Sequence, residues 1–212
     1  MKLEAITWER LTEAVADKAA RIGAEDGSPW VRIAVDGAPA ARGGEFAERI
    51  GEALRLRGRS VLVVGTGGFL RPASLRYEFG REDPDTYYSG WFDTGALWRE
   101  VFAPLDAGGS GLVLPDLWDP LADRATRSPR VALPHGGVLL VHGPFLLGHW
   151  FPFDLTVHLR LSGAALRRRT EEHRQWTLPA FERYETEVMP QETAHVLVRA
   201  DDPGHPAWGG VH

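Results

Sequence analysis

The sequence predicts an α/β fold with an open, mostly parallel sheet and helices on both faces. Apolar runs of strand length alternate with segments in which apolar residues recur at helical spacing, and no series of adjacent hairpins interrupts them. The apolar run 31–35 leads into a Gly/Pro-rich turn and then a helical pattern at about 44–57. This strand, turn and helix form the central unit of the predicted fold.

The other predicted elements follow in chain order. An amphipathic helix is expected at 7–22, because its apolar residues share one face. The β-branched run 59–64 gives a second strand, joined to the first by a parallel crossover. The segment 65–95 has no strong period and many aromatic residues, so it predicts a long binding loop or lid. The later elements are helices at 96–105, 164–174 and 178–188, strands at 137–141, 155–161 and 195–199, and an irregular stretch with one hairpin at 111–133.

Length and composition indicate one cytoplasmic domain. The chain of 212 residues suits a single α/β domain, assigned to 1–203, with a loose tail at 204–212. The net charge of −5 comes without a basic block, so nucleic acid is not an expected partner. There is no cysteine and no apolar run long enough for a membrane span, so we expect neither a disulfide framework nor a membrane association. The sequence leaves open whether the chain forms a homo-oligomer.

The turn after the first strand has the frame of a phosphate-binding loop. In the pattern G-x-x-x-x-G-K-[ST], main-chain amides cradle phosphate, the Lys reaches the outer phosphates and the hydroxyl holds Mg²⁺. If Gly37 is the first glycine, the last three positions hold Arg42, Gly43 and Gly44. The scaffold is therefore present without its chemical side chains. The residues expected to bind a cofactor through this loop are Gly37, Ala38, Ala40, Ala41, Gly43 and Gly44.

Four motifs in order resemble the uridine kinase-like branch of the P-loop nucleoside kinases. They are A-V-D-G-A-P at 34–39, G-G-F-L-R-P at 67–72, E-D-P-D-T-Y-Y-S-G-W-F-D at 82–93 and V-L-L-V-H-G-P-F-L-L at 138–147. A weaker fifth piece is the Arg-rich helix with R-Y-E-T-E-V-M-P at 183–190 and A-D-D-P near 200. The resemblance implies a P-loop NTPase-type sheet of the nucleoside kinase kind.

The resemblance also implies where catalytic groups belong. Such kinases use a loop Lys, an Asp base after the second strand and an acid that positions Mg²⁺; here those places hold Gly43, Gly67 and His142. A further acid in the aromatic segment is replaced by Gly90. ATP and Mg²⁺ are implied by resemblance only, and we identify no metal ligands. The residues that match the substrate side are Arg71, Tyr87, Tyr88, Phe92 and Asp93, and Arg169 represents the three adjacent lid arginines.

Three functional hypotheses remain open. The chain is a uridine kinase-like protein with a degenerate ATP/Mg²⁺ site that retains a cleft for a nucleoside, nucleotide or other phosphate-bearing molecule. Alternatively, it is an active phosphotransferase with a rearranged site in which Arg42 supplies the missing charge, since a guanidinium binds phosphate bidentately. In this hypothesis the carboxylates available for Mg²⁺ are those of Asp83, Asp85 or Asp93. In the third hypothesis His142, at the end of a buried strand, is an acid or base for different chemistry on a nucleoside-like substrate. His142 is equally compatible with a strand-end histidine satisfied by the backbone.

Overall fold

The computed structural model describes residues 3–25 and 29–210, and its main feature is a seven-stranded mixed sheet. The strands are β1 (Glu4–Ala5), β2 (Trp30–Gly37), β3 (Val61–Gly65), β4 (Leu112–Val113), β5 (Trp118–Asp119), β6 (Arg124–Ala125), β7 (Val131–Ala132), β8 (Gly137–Gly143), β9 (Leu155–Arg160), β10 (Val196–Arg199) and β11 (Ala207–Gly210). The sheet order is β1-β11-β10-β9-β2-β8-β3. The five strands from β10 to β3 are parallel, and β11 pairs antiparallel with both of its neighbours. The strands β4 with β7, and β5 with β6, form two small separate hairpin-like pairs.

Helices cover both faces of the sheet. They are α1 (Trp8–Glu25), α2 (Gly43–Leu56), α3 (Ala73–Arg76), α4 (Pro84–Ser89), α5 (Thr94–Leu97), α6 (Gly163–Arg169), α7 (Leu178–Glu187) and α8 (Pro190–Thr193). Short 3₁₀ turns lie at Pro39–Ala41, Thr66–Phe69, Ala103–Leu105 and Glu172–Thr177, and a π-helical segment at Trp98–Phe102. In the described part of the chain, no helix has the length and apolar character that crossing a membrane requires.

The alternation of side chains along β2 divides the core between the two faces. Val31, Ile33 and Val35 pack into the cluster beneath α1 and α2, whereas Trp30 and Ala34 pack into the cluster on the opposite face. Because both faces are covered, the strand reads as an almost continuous apolar run. The predicted α/β fold class, with an open and mostly parallel sheet, is confirmed.

Two expectations about irregular segments need correction. The tail predicted to be loose at 204–212 contains β11, which pairs with β10 in the register Val198 to Trp208; residues 211–212 lie outside the described chain. Trp208 packs at the edge of the α1/α2 core, and this tertiary contact has no signal in a four-residue A-W-G-G strand. The segment 65–95 consists of short helices rather than an open loop. Asp83 and Asp93 start two of them by accepting amide hydrogen bonds.

Candidate functional site

The candidate site lies where the carboxyl ends of the central strands meet. Connections from β2 and β3 run to one side of the sheet, and β9 and β10 are added on the other, so the strand order reverses at β2. Open α/β sheets bind ligands in the crevice at this reversal. The turn from Gly37 to Arg42 occupies that position. A Cβ at Gly37 would lie 2.8 Å from the carbonyl oxygen of Leu159, so only glycine lets the loop leave β2 this close to β9.

The loop is a tight turn, in which amides bond to carbonyls of the same turn. The amide of Ala41 donates to the carbonyl of Ala38 at 2.8 Å, and the amide of Arg42 donates to that of Pro39 at 2.9 Å. Pro39 itself has no N–H. The amides at the start of α2, on Gly43 and Gly44, are those that a helix N-terminus leaves without intrahelical partners. Of the predicted amide donors, that of Ala41 is therefore already bonded within the turn.

Arg42 occupies the second glycine position of the motif, and its side chain pairs with Glu45. Its φ of 60° and ψ of 38° place it in the left-handed region, where glycine is favoured. Its Nε donates to Oε1 of Glu45 at 2.6 Å, and its side chain is 71% exposed. A phosphate would have to compete with Glu45 for this exposed guanidinium.

No lysine replaces the Lys of the motif among the described residues that line the cavity. Only two lysines are present, Lys2 and Lys18. Lys2 lies outside the described residues, and Lys18 is on α1 near His195, whose pKa is lowered by burial and then by this charge. Within residues 3–25 and 29–210, no lysine lines the cavity at the loop.

His142 is wedged beneath the start of α2. A Cβ placed on Gly44 would lie 2.9 Å from Cε1 of His142, and one on Gly65 would lie 3.0 Å from the same atom. Burial lowers the pKa of the imidazole, and the charge of Glu48 opposes this in part. The ring is therefore neutral at physiological pH and fills the space beside the position of the motif's Ser or Thr. The two glycines are what make room for it.

This packing predicts that restoring the motif's hydroxyl will destabilise the fold. Gly44→Ser should lower the free energy of unfolding by about 1–3 kcal/mol, because the new Cβ overpacks against the imidazole. In a His142→Ala background the same change should cost clearly less, giving a measurable coupling in urea denaturation. Gly43→Ser is the matched control, since a Cβ there meets its nearest neighbour at an ordinary 3.5 Å. Equal destabilisation by Gly44→Ser in both backgrounds would contradict the packing of His142 against Gly44.

A cavity of about 830 Å³ opens beside the loop. Its lining carries four arginines and two glutamates, so it is basic in a chain whose net charge is −5. The loop residues Ala38, Ala40 and Ala41 form one wall. The arginines are Arg42, Arg49, Arg169 and Arg174, and the glutamates are Glu45 and Glu171.

The residues expected to bind a substrate are engaged in packing. Tyr87 is buried and contacts a ring of aromatic side chains, with Phe92 and Phe145 at 6.0 and 5.5 Å between centroids. Tyr88 packs edge-on to Phe145 at 5.2 Å. Only about 20 Å³ of space remains between this cluster and Asp93. A nucleoside would therefore enter only if these side chains moved.

The remaining expected substrate residues hold the backbone together. Asp93 accepts a hydrogen bond from the amide of Ala96 at 2.8 Å and so caps α5. The main chain of Arg71 bonds to Trp91, while its side chain is half-buried. The guanidinium of Arg169 donates to the carbonyls of Ala200 and Asp201, which ties α6 to the loop after β10. Of this group, Tyr87 and Arg169 line the cavity at the phosphate loop.

Sequence analysis missed a buried polar network at the end of β2. Asp36 is completely buried; its Oδ1 accepts the amide of Leu146 at 2.9 Å, and its Oδ2 accepts the hydroxyl of Tyr184 at 3.1 Å. The same Oδ2 lies 2.6 Å from Nδ1 of His158, whose Nε2 lies 3.3 Å from Glu185. Burial alone would lower the pKa of His158, but the two carboxylates outweigh it and raise the pKa to about 9. The available signal was an Asp at a strand end together with a His inside an apolar strand.

The donors at the loop do not fit a magnesium ion. Mg²⁺ takes oxygen ligands, commonly one or two carboxylates together with phosphate and water. The hydroxyl position holds Gly44 and the acid position holds a neutral imidazole. Among residues 3–25 and 29–210, no group of three His, Cys, Asp or Glu side chains could hold a metal. These donors therefore provide no basis for a metal-dependent step at the loop.

Solved structures show which fold this geometry belongs to. A possible uridine kinase from Bacillus stearothermophilus aligns with a TM-score of 0.70 and 22% identity over 89% of this chain and 98% of its own. The chain has a uridine kinase-like P-loop fold. The YGR205w protein aligns at 0.66 with 12% identity over 98% and 100% of the two chains. A candidate fructose transport system kinase from Silicibacter sp. TM1040 aligns at 0.59 with 20% identity over 86% and 94%.

No family model matches the sequence, and no curated protein matches it. The likeness therefore rests on the arrangement of the strands and helices. What the solved structures show of this chain is its fold.

Proposed function

We propose that this uridine kinase-like protein binds a phosphate-bearing small molecule at its loop and transfers phosphoryl groups very slowly or not at all. The observation that carries the proposal is the identity of four residues: Gly43, Gly44, Gly67 and His142 stand where the P-loop kinase pattern uses Lys, Ser or Thr, Asp and an acid. Phosphoryl transfer depends on positioning and on charge stabilisation by such groups. Losing one comparable donor commonly slows an enzyme by ~10²–10³.

The surrounding geometry supports this proposal over an active site built on Arg42. The guanidinium of Arg42 pairs with Glu45 and is largely exposed. Arg169 is engaged with main-chain carbonyls. Both arginines therefore already have partners, and neither replaces the loop Lys at the start of α2.

The geometry also supports binding over acid–base chemistry by His142. That side chain packs against Gly44 and Gly65 and is not among the residues that line the 830 Å³ cavity. Its lowered pKa leaves it neutral, but a neutral imidazole without access to a ligand cannot exchange a proton with it.

A steady-state assay tests the proposal. Purified protein is given ATP·Mg²⁺ with a panel of nucleosides and sugars, and product is measured by chromatography. We expect turnover at the level of a buffer blank for every acceptor. A reproducible product whose rate scales with protein concentration, and is lost in the Arg42→Gln variant, would show that the rearranged-site hypothesis is right and this one wrong.

A further inference from the structure

We infer that the 830 Å³ cavity binds an oligophosphate anion in its metal-free form, with arginine side chains neutralising the charge that Mg²⁺ neutralises in P-loop kinases. The inference rests on the proposed binding function and specifies its ligand chemistry. The fold implies a metal-bound nucleotide. The residues that line the cavity instead supply cationic side chains, and the described residues include no group of metal ligands.

A side chain fills the side of the loop where the motif would hold a metal. A metal bridging two phosphates needs room and oxygen ligands next to the start of α2. In this chain the imidazole of His142 fills that space, as its contacts with Gly44 and Gly65 show. The site is therefore closed to a hydrated Mg²⁺ on the side where the motif would hold it.

Arg174 also lines the cavity. Its guanidinium carbon lies 5.5 Å from the ring centroids of Tyr87, Trp91 and Trp176. In the described part of the chain it forms no ion pair with a carboxylate. Aromatic rings hold a guanidinium by its flat faces and leave its edge N–H groups to donate. One hydrogen bond of the Arg174 side chain goes to Tyr87, and its other N–H groups can donate to a ligand. Arg174 is therefore a preorganised cation directed at a basic cavity.

The lining of the cavity carries enough positive charge to bind an anion. Four arginines and two glutamates line a space large enough for a nucleotide-sized ligand. A guanidinium keeps its charge at every physiological pH and binds phosphate oxygens bidentately. One of the glutamates, Glu45, already occupies Arg42, so an arriving anion competes with it for that side chain. An anion with several phosphates matches this arrangement better than its magnesium complex, which carries less charge.

The test is isothermal titration calorimetry with inorganic tripolyphosphate and with ATP, each in excess EDTA and in millimolar MgCl₂. We expect binding in EDTA and a weaker apparent affinity in MgCl₂, because the metal withdraws charge from the ligand. Equal affinities for the two ligands would assign recognition to the phosphates. Tighter binding of ATP would add recognition of the base, and both results support the inference.

Three variants make the assignment specific. Arg174→Gln should weaken tripolyphosphate binding in EDTA by ~10-fold or more, since a charge-assisted hydrogen bond is lost. Arg168→Gln removes the same charge from an exposed position outside the cavity and should change affinity less than about threefold. Glu45→Gln should tighten binding because it removes an anion that competes for Arg42.

The failures of the two proposals are distinguishable. Binding that requires MgCl₂, or equal losses in Arg174→Gln and Arg168→Gln, would overturn the metal-free inference while leaving a non-catalytic binding protein in place. Absence of binding under both conditions would also overturn it. Phosphoryl transfer in the steady-state assay would instead overturn the proposed function.

Discussion

Asp36→Ala is expected to lower the free energy of unfolding by about 3–5 kcal/mol, the usual loss when one partner of a buried ion pair is removed. The change leaves the imidazole of His158 buried without its closest carboxylate, and it also removes the acceptor of the Tyr184 hydroxyl and the Leu146 amide. For a chain of this length, the loss corresponds to a fall in Tm of about 6–20 °C. Urea denaturation followed by circular dichroism measures it.

Glu185→Gln is the matched control for this prediction. It removes the other carboxylate from His158, but that carboxylate lies farther away, at 3.3 Å, and its side chain is 34% exposed. We expect a loss of about 1 kcal/mol or less, typical of a hydrated pair. If Asp36→Ala were no more destabilising than Glu185→Gln, the network would not be the structural centre that its burial indicates.

The same network predicts how stability varies with pH. The pKa of His158 is raised from about 6.5 in the unfolded chain to about 9 in the fold. Protonation therefore favours the folded state; the stabilisation is complete below about pH 6.5 and is lost as pH rises through about 9. The expected decrease is about 3 kcal/mol. A His158→Gln variant should lose this slope. The histidines with lowered pKa, His142, His149 and His195, act below pH 6.5 and do not overlap with it.

Restoring the motif side chains as a set is expected to raise ATP hydrolysis by ~10² or more over the natural sequence, because each restored donor is worth a factor of that order. The set is Gly43→Lys, Gly44→Ser, Gly67→Asp and His142→Asp. A Cβ at Gly43 makes ordinary contacts and one at Gly67 meets nothing within 4 Å, so both side chains can be accommodated. His142→Asp removes the ring that obstructs a Cβ at Gly44. Hydrolysis is the readout because the aromatic cluster leaves only about 20 Å³ for an acceptor.

The control for this experiment carries Gly43→Met in place of Gly43→Lys. The two side chains are similar in length, but only one has a charge, and so only the set with lysine should hydrolyse ATP. Equal hydrolysis by both sets, or by the natural protein, would mean that catalysis in this fold does not depend on the missing groups.

Local patterns in the sequence predict the framework of this fold. The apolar run of β2 and the helical period of α2 place the loop correctly because both depend on residues close together in the chain. The position of His142 at a strand end follows from the same reasoning. That it fills the space next to Gly44 could not be predicted, since the two residues lie on different elements and meet only in the folded protein.

Long-range polar contacts and short elements could not be predicted from the sequence. The partners of Asp36 are 110, 122 and 148 positions away, and no local period connects them. In the folded protein Asp36 anchors β9 through His158 and α7 through Tyr184. The aromatic segment shows a related effect. Its composition indicates a binding loop, but Tyr87 and its neighbours fill a core, with the guanidinium carbon of Arg174 5.5 Å from the Tyr87 ring.

The most direct test of the account is a single-turnover experiment with the natural protein in excess over ATP labelled at its γ-phosphate, with and without Mg²⁺ and uridine. Filter binding and chromatography on the same samples report bound nucleotide and transferred label. We predict that the label is retained on the protein in the absence of metal and is recovered as unchanged ATP under every condition. Transfer of the label to uridine or water in one turnover, at a rate that depends on Mg²⁺, would contradict the account.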